Sequence, residues 1–202
     1  MKNKTTFLVI ILIAALIGAA YYKGIFKSMM QYGSTASSTA PVVKTGTITK
    51  QLPPTPVAFD AKNGTYNVDD MTVTLVNGSV DTPVAPGSAE EVTTQYFGNE
   101  AVGDLNGDGI PDSAFLLTQY GAGTGIFYYA VAVLKTTTKA TVTNSVFIGD
   151  RIAPQTTEIK DGHVIVNYAD RKEGQAMTDE PTVGVSKYLE VTSKGELIES
   201  NK

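Results

Sequence analysis

Hydrophobic positions along this chain fall into two regimes. Residues 7–22 are apolar without a break and are flanked by Lys2 and Lys4 on one side and Lys23 and Lys27 on the other. As a helix rising ~1.5 Å per residue, those sixteen residues span roughly 24 Å. That is a little short of a bilayer core of about 30 Å, and Thr5, Thr6 and snorkelling lysines extend it. The run predicts a transmembrane helix. From residue 60 onward the pattern changes to short segments, alternating or β-branched, cut at close intervals by turn residues. Strands are predicted at 65–68, 72–76, 92–97, 113–118, 126–134, 141–148, 156–159, 163–168, 183–191 and 196–198. Asn63-Gly64, Asn77-Gly78, Asp161-Gly162 and Lys194-Gly195 each stand between apolar runs, which is the strongest local signal for a hairpin. The stretch 126–134 is apolar at successive positions and therefore on both faces, so it is expected as the central strand of the core.

This patterning predicts an all-β fold, an antiparallel sandwich or partly closed barrel following the N-terminal transmembrane helix. An α+β variant stays open, because Ser88 is placed to cap a short helix over 88–92 with Glu90 and Glu91 in its first turn. Three parts follow: a signal anchor with its flanks at 1–30, a linker rich in Ser, Thr, Gly and Pro at 31–60, and a β domain at 61–202. Serine and glycine make the first half of such a linker flexible, and Pro41, Pro53, Pro54 and Pro56 stiffen the second. Gly18, Ala19 and Ala20 offer the small residues a signal peptidase cuts after, so a cleaved signal competes with the retained anchor, which we favour. Either reading puts the domain outside the cytoplasm, membrane-anchored in one case and secreted in the other.

Composition narrows the chemistry. The chain holds no cysteine, which removes disulfide scaffolds, thiolate metal sites, cysteine nucleophiles and lipid-modified cysteine. A net charge of -4, without a cluster of Lys or Arg interleaved with aromatics, supplies no field for nucleic acid. One histidine, His163, rules out a histidine-based triad or a multi-histidine metal site, and its place at the start of a strand is that of a surface residue.

Explicit site chemistry occurs once. From Asp104 the chain reads Asp104-Leu105-Asn106-Gly107-Asp108-Gly109-Ile110-Pro111-Asp112, an oxygen donor at every second place with a glycine at the sixth. Calcium takes six to eight oxygens, and such a loop supplies them from the side chains of Asp104, Asn106, Asp108 and Asp112 and from the carbonyl of Ile110. A helix-loop-helix site would need a glutamate at the twelfth place, which is Phe115. Asp112 must then close the cage, and the apolar flanks put the loop between two strands. Residues Val102-Gly103-Asp104-Leu105-Asn106-Gly107-Asp108-Gly109 with Asp112 resemble the calcium hairpin of FG-GAP and VCBS repeats. That resemblance implies calcium as the cofactor and covers a single copy, so no multi-blade propeller is implied. The wider region from Tyr96 to Arg171 is similar to uncharacterised exported envelope proteins of candidate-phylum bacteria, which implies a setting and no activity.

Other features carry less. Gly121-Ala122-Gly123-Thr124-Gly125 lacks the lysine and helix of a phosphate-binding loop and reads as a hairpin turn. Ser186 and Lys187 are adjacent on a strand, face opposite ways and make no dyad. Asp150-Arg151 and Asp170-Arg171 each follow a strand. They stand as rim salt bridges, or as a carboxylate-receiving pair beside Glu158 and Glu173. No catalytic residue is assigned and no reaction is stated by the sequence. The expected function is a calcium-stabilised binding, adhesion or structural module of the cell envelope. Its expected partners are the membrane, through the helix, and an envelope protein or glycan. The alternative is an exported hydrolase using a carboxylate pair drawn from Glu100, Asp150, Glu158 and Asp170.

Overall fold

The computed structural model describes residues 54–200; the expected membrane helix and the linker up to residue 53 lie outside them. Among the described residues no helix is long and apolar enough to cross a membrane, and the architecture is β throughout, with three antiparallel sheets, none closed into a barrel. A hairpin of β1 (Thr65–Val68) and β2 (Met71–Thr74) forms the smallest. The largest has six strands. It runs β3 (Ser79–Pro83), β4 (Glu91–Gly103), β5 (Asp112–Tyr120), β6 (Ile126–Lys135) and β7 (Ala140–Val142), with β8 (Val146–Asp150) also paired to β6. The third sheet is ordered β12 (Leu197–Glu199), β11 (Val183–Val191), β10 (His163–Asp170), β9 (Ala153–Lys160).

Period-2 alternation in β5 and β6 builds two cores, one on each face of the six-stranded sheet. Ala114, Leu116, Ala130 and Ala132 point to one side, where they meet Val164, Val166, Leu189 and Leu197 of the four-stranded sheet. Alanines at that contact let the two sheets come close. At Gly103 a methyl group would stand 2.6 Å from Ile159 Cγ2. On the opposite side Phe115, Leu117, Tyr129, Val131 and Val133 receive Tyr66, Val68, Val73 and Leu75 of the small hairpin. Tyr66 and Tyr96 both pack on the Phe115 ring, with centroids 5.8 and 5.3 Å away. Fully burying a side chain of this kind is favourable by about 1.5–3 kcal/mol, so the two faces of β5 and β6 hold the layers together. β6 has the interior place expected of 126–134, and β5, buried from Asp112 to Gln119, shares it.

Several expectations are corrected. Asn63-Gly64 is not a hairpin turn: Asp60 accepts the Lys62 amide (3.0 Å) and the Asn63 side chain (2.7 Å), which winds Ala61–Asn63 into a 3-10 turn. No helix forms over 88–92. Ser88 Oγ accepts the Glu90 amide at 3.0 Å and β4 begins at once. The expected strand 141–148 breaks into β7 and β8, because Thr143 turns both its amide and its hydroxyl onto Ala132 (2.9 and 3.1 Å). β4 runs well past residue 97, since Gly98 (φ 105) and Asn99 (φ 49) make a bulge within it rather than a turn. β3 is a strand that the hydrophobic pattern does not predict, being largely polar and ending on Pro83, which an edge strand tolerates. The last residues of the expected linker join the fold: Val57 donates to Thr136 O at 2.9 Å and Phe59 packs on the hairpin core.

Candidate metal centre

The oxygen-rich loop joins β4 to β5, whose ends pair Gly103 with Asp112, so it caps a strand hairpin as its flanks implied. Two glycines shape it. Gly107 and Gly109 hold φ 78 and 79, a left-handed conformation that side chains disfavour, although nothing stands within 4 Å of a methyl group at either. Leu105, 6 % exposed, plugs the loop into the core between the two large sheets.

Each of the loop's polar side chains is held by loop backbone. Asp104 Oδ1 accepts the Gly107 amide at 2.7 Å and Oδ2 the Gly109 amide at 2.9 Å. Asn106 Oδ1 accepts the Asp108 amide at 2.9 Å, its Nδ2 donates to Asp108 Oδ2 at 3.1 Å, and Asp108 Oδ1 accepts the Ile110 amide at 2.7 Å. Asp112 differs. It is wholly buried, with Oδ2 on the Leu105 amide at 2.9 Å and Oδ1 on the Lys135 amide of β6 at 2.7 Å. It therefore ties the loop to a strand that the sequence did not connect with it.

Electrostatics separate the two ends. The Gly109 amide, followed by others of the loop, holds the Asp104 carboxyl below its ordinary range against a desolvation that opposes it. Burial pushes Asp112 up, and the charges of Asp108 and Asp104 add to this, while the Lys135 and Leu105 amides work against it. Asp112 thus feels the charges of the other two, and none of the three carboxylates is in an ion pair with a described residue: the described ion pairs are Arg151–Asp150, His163–Glu190 and Lys187–Glu199.

The donors are all oxygen, which suits a hard cation. A carboxylate oxygen that has accepted one amide keeps a second lone pair, so Asp104, Asn106, Asp108 and the Ile110 carbonyl are the groups able to hold an ion from the surface, while Asp112, expected to close the cage, keeps the same capacity but lies wholly buried beneath the loop. Among the described residues no three His, Asp or Glu side chains are gathered into a ready-made metal cluster.

The remaining candidates are dispersed. His163 starts β10, with Nδ1 2.9 Å from Asp161 O and Nε2 3.7 Å from Glu190. The glycine-rich segment closes the β5–β6 hairpin between Tyr120 and Ile126. Ser186 bonds Asn167 at 2.6 Å while Lys187 faces away to Glu199 at 3.3 Å. The two Asp-Arg dipeptides do meet: Arg151 pairs with Asp150 at 2.8 Å, and Arg171 donates to Arg151 O and Asp179 O, each at 2.7 Å. Both guanidinium groups are occupied there. Glu100 accepts Tyr96 OH at 3.2 Å, Asp170 the Arg171 amide at 2.7 Å, and Glu158 the Asn167 side chain at 3.0 Å. Sequence reasoning missed Asn144, whose side chain brackets Leu197 through its amide (2.8 Å) and carbonyl (2.9 Å), and Asp69, which accepts Tyr129 OH at 2.7 Å; neither has a local sequence signal. No protein-family model, no curated protein and no solved structure matches the chain.

Proposed function

We propose that this is a membrane-anchored, exported β-sandwich module of the cell envelope that binds rather than turns over, and that its β4–β5 loop takes up calcium as a structural clip. The observation that carries the reading is the hairpin loop itself, with three carboxylates close in sequence, oxygen donors at alternate positions and no ion pair to any described residue. Asp104, Asn106, Asp108 and the Ile110 carbonyl hold the ion, which neutralises the loop; Asp112 adds its charge from beneath while anchoring the loop to β6. The apolar run at 7–22 supports the anchor, and the FG-GAP-like spacing supports the metal. A site of this charge without a twelfth-position glutamate belongs in the weak extracellular class, with a dissociation constant of about 10⁻⁴ M. The hydrolase alternative has less behind it, since Asp150 is paired with Arg151 and Asp170 holds its neighbour's amide.

The test is thermal melting of the full chain across a calcium titration. At free calcium about tenfold above the dissociation constant the ion adds ~1.4 kcal/mol, which raises Tm by about 3–6 °C in a domain of this size. Asp108→Asn removes one carboxylate from an exposed position, so it weakens the calcium response while leaving the calcium-free melting temperature unchanged or higher. A melting temperature that does not move up to about 10 mM calcium, a hundredfold above the expected constant, overturns the clip.

A further inference from the structure

The outer face of the four-stranded sheet carries a second constellation. Register and alternation put three rungs on it. Lys160, His163 and Glu190 lie abreast on the first, Glu158, Ile165 and Tyr188 on the second, and Thr156, Asn167 and Ser186 on the third. With strands about 4.8 Å apart and same-face rungs about 6.6 Å apart, the patch measures roughly 10 by 13 Å. A cleft of about 330 Å³ opens over the first two rungs, with Asp161 of the β9–β10 turn at its edge and Asn167 at its far end. This lies at the small end of the range for ligand sites.

Its chemistry is graded along the strands. The third rung is neutral and pre-set by its own hydrogen bonds: Ser186 Oγ donates to Asn167 Oδ1 at 2.6 Å, and Asn167 Nδ2 reaches Thr156 Oγ1 at 2.9 Å and Glu158 Oε1 at 3.0 Å. Those bonds engage one oxygen of Glu158 and leave the other for a ligand. The centre is apolar, with half-buried Ile165 beside Tyr188. The opposite end is charged: Glu158, Asp161 and Glu190 outnumber Lys160, and Glu190 lies 3.7 Å from His163 Nε2. Glu158, Lys160 and Asp161 form no ion pair with any described residue. A surplus of carboxylate repels phosphates and acidic polymers and draws a cationic group. A ligand that offers hydroxyls to Asn167 and Ser186, a flat C–H face to Ile165 and Tyr188, and an ammonium to Glu158 and Asp161 matches all three zones.

We propose that this face binds a glycan containing unacetylated amino sugar, its ammonium received by Glu158 and Asp161 and its ring face by Ile165 and Tyr188. The assignment rests on the reading of the domain as an envelope binding module and gives that module a ligand class. An uncharged glycan meets only two of the zones. A lysine-bearing peptide meets the charged end but brings no hydroxyls for the neutral rung.

The test is calorimetric titration of the full chain at low salt, with a glucosamine tetramer, its fully N-acetylated counterpart and a lysine tetrapeptide as probes. The glucosamine tetramer binds tighter than the other two, by up to about fivefold for each half-exposed charge contact, and added salt narrows the gap. Glu158→Gln lowers its affinity by a similar factor while leaving the melting temperature in place, and Ser186→Ala lowers affinity for the free and acetylated tetramers alike. Equal affinity for the two tetramers, tighter binding of the peptide, or no binding overturns the inference. So does binding that is unaffected by Glu158→Gln and abolished by changes at Phe97 and Tyr120, which line a separate groove on the six-stranded sheet. Repeating the titration with calcium and with chelator keeps the two readings apart. A calcium-dependent melting shift without glycan binding removes this proposal alone, and glycan binding without that shift removes the clip alone.

Discussion

Replacing Asp112 by asparagine removes one atom's acceptor chemistry at a buried position and changes little else. The carboxylate accepts the Leu105 amide on one oxygen and the Lys135 amide on the other, at 2.9 and 2.7 Å. Asparagine has a single acceptor oxygen, so whichever way its amide is turned, an NH₂ group faces one of those two backbone donors. Orphaning a buried donor costs about 1–3 kcal/mol, and removal of a buried charge offsets part of that cost. Asp112→Asn should therefore lower stability by about 1–3 kcal/mol and Tm by about 2–12 °C. Asp112→Ala, which orphans both amides, should cost about twice as much. Urea unfolding of the full chain in chelator reads this without any contribution from an ion. The pH dependence supplies a second readout. Because burial raises the folded Asp112 above its ordinary 3.8, the folded chain holds a proton between those two values that the unfolded chain lacks. Stability from this group falls as pH rises through that window. Asp104 runs the other way: its lowered value gives stability that is present above 3.8 and lost as pH falls through the folded value. Asparagine at 112 abolishes the first slope and keeps the second. A variant within about 0.5 kcal/mol of the parent, with both slopes intact, would refute the two-amide account.

Two more outcomes follow from the packing between the large sheets. Gly103→Ala sets a methyl group 2.6 Å from Ile159 Cγ2 and 2.9 Å from its Cβ, an overpacking that costs about 1–3 kcal/mol. Ile159→Ala removes the Cγ2 contact and leaves only its Cβ at 2.9 Å, so a double-mutant cycle by urea unfolding should show the pair more stable than the sum of the single changes, and additivity would show that the sheets do not meet there. Thr157 Oγ1 is buried with no described hydrogen-bond partner, so Thr157→Val, which keeps the branched shape, should raise stability by up to about 1–2 kcal/mol in the same assay; a loss would reveal a partner for that hydroxyl.

Features that the local chain decides were legible in the sequence. Asn77-Gly78 and Asp161-Gly162 hold φ values of 55 and 95, and 51 and 75, because these residues accept the left-handed conformation a two-residue hairpin needs. The same dipeptide at 63–64 carries the same local preference, yet Asp60, three residues before Asn63, captures that side chain and turns the backbone another way. A propensity is overridden by one well-placed acceptor. The break between β7 and β8 had a local sign in the polar pair Asn144-Ser145, which interrupts the register of Val142, Val146 and Ile148, and the meeting of Thr143 with Ala132 ends the first strand just before it. At the candidate site, the loop, its glycines and its position between strands could all be read, since the spacing of its donors is a property of nine consecutive residues. What could not be read is the Lys135 amide, 23 residues beyond Asp112 in the chain. This link gives one carboxylate two tasks. It adds negative charge beneath the loop, which favours a cation, and it fastens the loop to β6, which holds the hairpin in place when no cation is bound. A loop fastened in this way loses little backbone freedom on taking up an ion, so calcium should act here by relieving repulsion within a shape already formed rather than by folding it.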